Sequence, residues 1–365
     1  MTNKPIAIIG AGNGGQTTAA WLANQGYKTR IFDVMEDTVS RLNELGGVKI
    51  YGNTDYPGFG KIEFATTDMK KALEGSELIL LILPENYHDS IARVMAPYLR
   101  DGQIIILNPA AGLGAISFRK TLADCGCTAD VTLAVTNTLL FAARIQKTGD
   151  VLVTGQKNEL SIVAFPANRR EVVENAIYPV MNQHIFSGNI IDAAMENLNL
   201  AFHPGTTMLY TSMIERGETF DFYNDVTPSQ VKLIHAIDAE RMELCRVYKV
   251  AALDADATFS RMYGYKGELY DMLRNADCYK GIKGPKSLKV RYLLEDIPYN
   301  LRSLQALARI AKLKTPVIDA VCIFGETLVG DAMDPGYSME TLGLSESMTV
   351  GDILAMVNGS SAEQQ

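Results

Sequence analysis

The sequence predicts an α/β protein in two parts: an N-terminal doubly wound, mainly parallel sheet and a C-terminal all-helical domain. Three observations carry that prediction. Short β-branched or aliphatic runs alternate with helical spacing through about residue 186. A glycine cluster, Gly10-Ala-Gly-Asn-Gly-Gly15, separates the first such run from the first helix. From residue 187 the strand-like runs stop and long amphipathic segments take over. The 365 residues fit two domains at roughly 150 residues each.

The elements follow in order. Pro5 to Ile9 is a short β-branched run, and Gln16 to Asn24 has helical spacing with Gly26 as its stop. Lys28 to Asp33 (KTRIFD) is a second strand. Leu78 to Leu83 (LILLIL) is wholly aliphatic, as expected of a strand covered on both faces. His88 to Leu99 reads as a helix, Gln103 to Leu107 (QIIIL) as a strand, and Val131 to Val135 as another. Val151 to Thr154 and Ser161 to Phe165 read as later strands of the same region. Such alternation builds right-handed βαβ units. The helical part is broken at Pro204-Gly205, Thr227-Pro228-Ser229 and Gly281 to Pro285, and Arg302 to Leu313 forms a helix closed by Thr315-Pro316. The expected domains are 1–186 and 187–358, with a polar tail at 359–365 that frays.

Composition narrows the function. Hydrophobic residues make up 47% and charged residues 21%, which excludes a disordered chain. The net charge of −8 argues against a nucleic-acid partner, which needs a basic face to displace counterions. Anionic small molecules stay open, because one arginine can hold a carboxylate. The five cysteines (Cys125, Cys127, Cys245, Cys278 and Cys322) are odd in number and sparse, and Cys125-Gly-Cys127 is too tight for a zinc knuckle. They read as reduced thiols, mostly buried, of a cytoplasmic protein, and no metal site is expected. No signal-peptide pattern and no membrane-length apolar run are found.

The glycine cluster fits G-x-G-x-x-G. Gly10 permits the tight turn, Gly12 admits a pyrophosphate near the backbone, and Gly15 lets helix pack on strand. Phosphates would sit with Asn13 and Gly14 at the helix N-terminus, where free N–H groups favour anions. Asp33 closes the second strand about 20 residues on, where a ribose 2′-hydroxyl is expected. The pattern is that of a Rossmann domain. Asp33 would repel a 2′-phosphate, so NAD is favoured over NADP. Pro84 and Asn108 leave their strands at the carboxyl edge, where open α/β sheets bind ligands.

In the helical part, Asn199 and His203 share one helix face at i,i+4 within apolar company. Pro204 directly after His203 predicts that the helix ends or kinks there. Arg291 and Asp296 lie in Arg291-Tyr-Leu-Leu-Glu-Asp296-Ile-Pro298. Arg291 either holds a carboxylate through paired N–H···O bonds or pairs with Glu295 at i,i+4. Asp296 either orients a histidine or caps the helix that begins near Pro298.

Taken together these residues resemble the opine dehydrogenase family, the octopine and nopaline dehydrogenases and the N-(1-carboxyethyl)amino acid dehydrogenases. The resemblance covers nearly the whole chain. It rests on GAGNGG at 10–15, on Leu107 to Phe118 (LNPAAGLGAISF) and on Thr136 to Arg144 (TNTLLFAAR). It continues through Asn197 to Pro204 (NLNLAFHP), Phe222 to Ser229 (FYNDVTPS), Asp238-Ala-Glu-Arg241, RYLLEDIP at 291–298 and Gly336 to Leu344 (GYSMETLGL). Val135, Phe141 and Ala143 stand where that family often has Glu, Tyr and Cys.

The resemblance implies a Rossmann domain joined to a helical domain, with the active site in the cleft between them. It implies that a 2-oxo acid such as pyruvate condenses with an amino acid and that NADH reduces the imine. By matching positions, His203 would be the acid–base and Asp296 its partner. Arg291 would grip a carboxylate, Asn199 would position substrate, and Arg144 is a second candidate for a carboxylate. A homodimer is an expectation, since Rossmann dehydrogenases often pair.

Two rivals stand beside this reading. A ketopantoate or 2-hydroxyacid reductase would act on the oxo acid alone, with a lysine as proton donor; Lys232, Lys249, Lys283 and Lys286 lack a Lys-x-x-x-Asn setting. A non-catalytic NAD(H) sensor would need the glycine motif but not His203, Arg291 and Asp296.

Overall fold

A computed structural model describes residues 4–360, which form two compact units. The first unit comprises Met1–Ala110, Gly114–Ala193 and Ala355–Gln365. The second comprises Ala111–Leu113 and Ala194–Leu354. The expected boundary at 186/187 falls just before this change of unit, because the chain runs on from the last strand into the helix Ile190–Glu196 before it leaves the first unit. Of the expected tail 359–365, Gly359 is fastened by Asn168 Nδ2 to its carbonyl at 2.7 Å, and residues 361–365 lie outside the described residues.

The first unit carries two sheets. Its strands are β1 (Ile6–Ile9), β2 (Thr29–Phe32), β3 (Gly47–Gly52), β4 (Gly58–Lys61), β5 (Phe64–Thr66), β6 (Leu78–Leu81), β7 (Ile104–Leu107), β8 (Thr132–Thr136), β9 (Phe141–Lys147), β10 (Asp150–Gln156), β11 (Leu160–Phe165) and β12 (His184–Phe186). The main sheet has eight strands in the order β12-β11-β8-β7-β6-β1-β2-β5. β5 through β8 are parallel neighbours, and β11 turns antiparallel to β8. Ile8 lies in register with Ile31 on one side and Leu80 on the other. β1, β6 and β7 are buried along their whole length. This is why they read as unbroken aliphatic runs rather than alternating ones.

The Val151 to Thr154 segment does not join that sheet. It belongs to a four-stranded sheet, β4-β3-β10-β9, which packs on the helix Asn13–Asn24. Trp21 of that helix meets Tyr56 and Phe141 edge-on, with ring centroids 5.5 and 5.6 Å away. A side chain at Gly60 would fall 2.4 Å from the backbone of Ala20, so only glycine permits this approach.

The second unit is helical apart from one isolated bridge between Asp221 and Lys283. Its longest helix, Pro228–Val247, opens with a capping box between Thr227 and Gln230 and carries Pro228 in its first turn. The Asp238-Ala-Glu-Arg241 motif is a buried tie. Arg241, fully enclosed, donates to Asp238 at 2.7 Å, to the Met195 carbonyl at 2.6 Å and to the Leu253 carbonyl at 2.7 Å. No helix among the described residues is long and apolar enough to cross a membrane. None of the five cysteines forms a disulfide, and only Cys245 and Cys322 are buried; Cys125 and Cys278 are exposed, which corrects the expectation of mostly buried thiols. Cys125 directly follows the helix Gly114–Asp124, and Cys278 sits in the short 3-10 turn Asp277–Tyr279.

Candidate active site

The nucleotide end of the first unit is built largely from backbone. Gly10 adopts φ +109°, and a Cβ there would lie 2.5 Å from the Ile82 carbonyl oxygen. A Cβ on Gly15 would lie 1.8 Å from the Gly10 oxygen, so the helix Asn13–Asn24 starts against β1 only because both are glycines. Gly12 is the N-cap and supplies no side-chain oxygen, and the space where its Cβ would point is open. The first N–H groups of a twelve-residue helix therefore meet no side-chain cap. These features fit a dinucleotide pyrophosphate.

Asp33 follows β2, accepting from the Ala11 N–H at 2.6 Å and from the Met35 N–H at 2.9 Å. Those bonds aim the carboxylate beside the glycine turn and leave lone pairs for ribose hydroxyls. Arg30 is bound to Glu63 at 2.7 Å and to the Glu74 carbonyl. Asn13 turns its side-chain oxygen to the second sheet, accepting from the Ile145 N–H at 2.8 Å. Pro84 is exposed at the carboxyl edge. Asn108 is buried there, with its carbonyl oxygen held by the Thr136 hydroxyl at 2.9 Å. Val135 is buried in β8 between Leu107 and Val163.

In the second unit, His203 and Asp296 meet although 93 residues separate them. His203 Nδ1 lies 2.9 Å from Asp296 Oδ2. A carboxylate only accepts, so Nδ1 carries the proton and donates. His203 lies inside the helix Asn199–Leu209, with Pro204 within it. The expected helix end or kink at Pro204 is thus corrected: the helix continues for another turn. The Thr207 hydroxyl supports it by donating to the His203 carbonyl at 2.7 Å.

Asp296 does not cap a helix. It opens a π-helical turn, Asp296–Leu301, and its second oxygen accepts from Asn300 Nδ2 at 2.7 Å. Such turns open the regular ladder, and here the freed Pro298 carbonyl accepts from the Tyr337 N–H at 2.8 Å. Asn300 is held in turn by the Gly112 N–H at 2.8 Å and Asn197 Nδ2 at 3.5 Å.

His203 Nε2 lies 2.8 Å from the Tyr223 hydroxyl. One face of the imidazole is stacked by Tyr292 at 4.1 Å and 27°, and Phe222 meets it edge-on. Tyr223 in turn stacks on Tyr279 at 4.0 Å. Burial raises the Tyr223 phenol well above the ordinary tyrosine range, and the neighbouring Tyr292, Tyr263 and Asp296 add to it. Burial and Asp296 likewise raise Tyr292. Both phenols are therefore proton-bearing at neutral pH.

Sequence reasoning did not assign roles to Asn197, Asn300, Tyr223 and Tyr292. The Asp296–Asn300 spacing of i,i+4 was the available signal for one of them.

The remaining candidates are placed differently. Arg291 is exposed and bound through Nε and Nη2 to Glu295 at 2.8 and 2.6 Å, the i,i+4 pairing. Asn199 is exposed at the first position of the His203 helix. Arg144 lies on β9 in the first unit, exposed, with Nη1 donating to the Ala143 carbonyl at 2.9 Å. Of the lysines considered, Lys283 is paired with Asp221 at 2.6 Å. His184 is a buried structural histidine on the Met181 carbonyl, and His235 pairs with Asp256.

A glycine-turn sheet unit and a helical unit holding a buried His–Asp pair define a two-unit nicotinamide-dependent dehydrogenase. Residues 186–329 match the family of NAD/NADP octopine/nopaline dehydrogenases in its alpha-helical domain, and residues 5–120 match the N-terminus of NAD-dependent glycerol-3-phosphate dehydrogenase. The chain is 31% identical to an opine dehydrogenase of Arthrobacter sp. (strain 1C) over 354 residues, covering 96% of this chain and 98% of that one. It is 22% identical to the octopine dehydrogenase of Pecten maximus, over 90% of this chain and 91% of that one. An octopine dehydrogenase structure with NADH and L-arginine shares the fold at a TM-score of 0.78 and 20% identity, covering 98% of both chains.

The chain belongs to the opine dehydrogenase family. It is an NAD(P)-dependent oxidoreductase of the type that acts on CH–NH donors.

Proposed function

We propose that this enzyme condenses an amino acid with a short 2-oxo acid such as pyruvate, yielding an N-(carboxyalkyl)amino acid, with His203 as the acid–base. The observation that carries the assignment is the buried 2.9 Å bond from His203 Nδ1 to Asp296. It fixes one tautomer and makes Nε2 the nitrogen that exchanges protons. Two proton steps need such a group: freeing the amine, and expelling water from the carbinolamine. Bound NADH supplies the hydride that reduces the resulting iminium. Gly10, Gly12, Asn13, Gly14, Gly15 and Asp33 would hold it, with Pro84 and Asn108 at the carboxyl edge of the sheet.

Both substrates carry carboxylates, so an arginine has to receive at least one. Arg291 takes that role by exchanging Glu295 for the substrate. The exchange is inexpensive because the side chain is 74% exposed and such a pair is worth only about 0.3–0.5 kcal/mol. Asn199, one turn before His203, assists, and Arg144 is the second candidate for a carboxylate. Five cysteines without a disulfide support a reducing, cytoplasmic setting.

The test is NADH oxidation with pyruvate and other 2-oxo acids, each with and without pools of amino acids. Turnover only with both substrates is expected. Turnover with the oxo acid alone would move the enzyme to the hydroxyacid reductases. His203→Ala should lower kcat by about 10²–10⁴; near-wild-type kcat would refute the acid–base assignment.

A further inference from the structure

The His203 imidazole has no ring nitrogen left for a substrate. Nδ1 is taken by Asp296, and Nε2 by the Tyr223 hydroxyl at 2.8 Å. Tyr292 stacks on the ring face and Phe222 closes the edge. A histidine acting directly on a carbinolamine would need Nε2 open. Here the group beyond Nε2 is a phenol, which both donates and accepts.

We propose that His203 exchanges its proton with the substrate through the Tyr223 hydroxyl, so that Tyr223 is the group that touches the reacting nitrogen and oxygen. The proposal rests on the acid–base reading of His203 above.

The proton balance closes. The amino acid arrives as an ammonium. Its N–H proton passes to Tyr223 Oη while the phenol proton passes to His203 Nε2. The freed amine adds to the carbonyl, and transfer of its second N–H proton to the new alkoxide gives the carbinolamine. The imidazolium then returns its proton by the same path: Nε2–H goes to Oη, and Oη–H goes to the carbinolamine oxygen. The C–O bond breaks with its electron pair on the leaving water, and the nitrogen lone pair forms the C=N bond. Hydride from NADH completes the secondary amine. One proton is borrowed and returned, and no co-reactant beyond NADH is needed.

The surroundings suit a relay that stays protonated. The groups facing the phenol are His203, Asp296, Tyr292, Tyr263 and Tyr279. The low-dielectric, anion-bearing setting disfavours a phenolate, so the phenol passes protons on without accumulating charge. Tyr279, stacked on Tyr223 and linked by its hydroxyl to Tyr263 at 3.2 Å, fixes the ring plane.

The test compares Tyr223→Phe with two variants carrying 3-fluorotyrosine or 3,5-difluorotyrosine at position 223, which keep the ring and hydroxyl but make the phenol more acidic. A relay predicts that Tyr223→Phe lowers kcat about 10²-fold or more, with KM for both substrates changed less than about threefold. It also predicts a kcat that changes progressively with phenol acidity across the fluorinated series. His203→Ala/Tyr223→Phe should be no slower than His203→Ala alone, since the two residues act as one unit.

Unchanged or raised kcat in Tyr223→Phe would overturn the relay and make the phenol a cap on Nε2. A lowered kcat that is flat across the fluorinated series would overturn it too, leaving a role in packing. If His203→Ala itself kept full kcat, the acid–base reading would fall instead, a result distinct from either.

Discussion

Replacing Asn300 by leucine removes the brace behind Asp296 while keeping a side chain of similar size. Asn300 is 2% exposed, so its bonds have no water to replace them. Its Nδ2 donates to Asp296 Oδ1 at 2.7 Å, and its Oδ1 accepts from the Gly112 N–H at 2.8 Å. A hydrogen bond to a charged group contributes about 1.5–3 kcal/mol, and an orphaned buried N–H costs about 1–3 kcal/mol. Leucine returns about 1 kcal/mol through its larger apolar burial. The net loss should be about 1.5–5 kcal/mol, read as a lower midpoint in urea with an unchanged slope. A carboxylate no longer fixed on both oxygens also lets His203 tilt, and displacements of about 1 Å cost about 10²-fold in rate. Paired urea titrations and NADH-oxidation assays of the wild type and Asn300→Leu read both effects. A variant within about 0.5 kcal/mol of wild type, with equal kcat, would refute the claim that Asn300 holds the catalytic carboxylate in place.

Two further outcomes are expected. Arg241→Met should cost more than about 3 kcal/mol in urea unfolding, because Asp238 would be left buried without its partner; a double change to Arg241→Met/Asp238→Leu should recover part of that loss. His88 is enclosed, with Nε2 donating to the Leu83 carbonyl at 3.1 Å and Nδ1 lying 3.2 Å from Glu85. Burial works to lower its pKa, but Glu85, the Leu83 carbonyl and Asp89 outweigh this and leave it raised. A raised value in the folded state means a contribution present in full below histidine's ordinary range and lost as pH climbs through the raised value. Thermal midpoints from about pH 6 to about pH 9 should therefore fall more steeply for wild type than for His88→Phe, and parallel curves would contradict this.

The parts legible in the sequence are those whose environment imposes one residue type. β1, β6 and β7 are covered on both faces, so their sequences could only be aliphatic. The glycine turn was legible because backbone contacts at Gly10 and Gly15 exclude every side chain. The second sheet was not. β3 and β4 contain Gly47, Gly52, Gly58 and Gly60, and glycines blur a strand pattern, yet Gly47, Gly52 and Gly60 are the residues that let this sheet lie against the first helix and against its own strands. β9 carries alternation at Phe141 and Ala143, but over too few residues to stand out. In the site, His203 and Asp296 were legible through motif spacing and by resemblance. Pro204 misled because a proline disfavours a helix interior without forbidding it, and here the helix runs through it to Leu209. Tyr223 was hidden, since its role depends on which atom of a distant residue it faces, and Asn300 left only its i,i+4 spacing from Asp296 as a signal.

The two units reach function by opposite means, and this decides which changes each tolerates. The nucleotide end works by omission: main-chain N–H groups without a side-chain cap and missing side chains leave room for a phosphate. The helical unit works by a directed chain of hydrogen bonds. Gly112 and Asn197 donate to Asn300, Asn300 donates to Asp296, and His203 donates to the other oxygen of Asp296. Every one of these bonds has a fixed sense, because a carboxylate accepts only and each donor has its proton committed. Direction becomes reversible only beyond Nε2, where a neutral imidazole accepts from Tyr223 and a charged one donates to it. The rigid side of the chain holds the imidazole still, and the phenol side is the single place where a proton moves either way. Isosteric changes on the rigid side should therefore lower rate and stability together. Loss of the phenol hydroxyl should lower rate by about 10²-fold or more, at a stability cost of no more than about 1–3 kcal/mol, that of one orphaned buried hydrogen-bonding group.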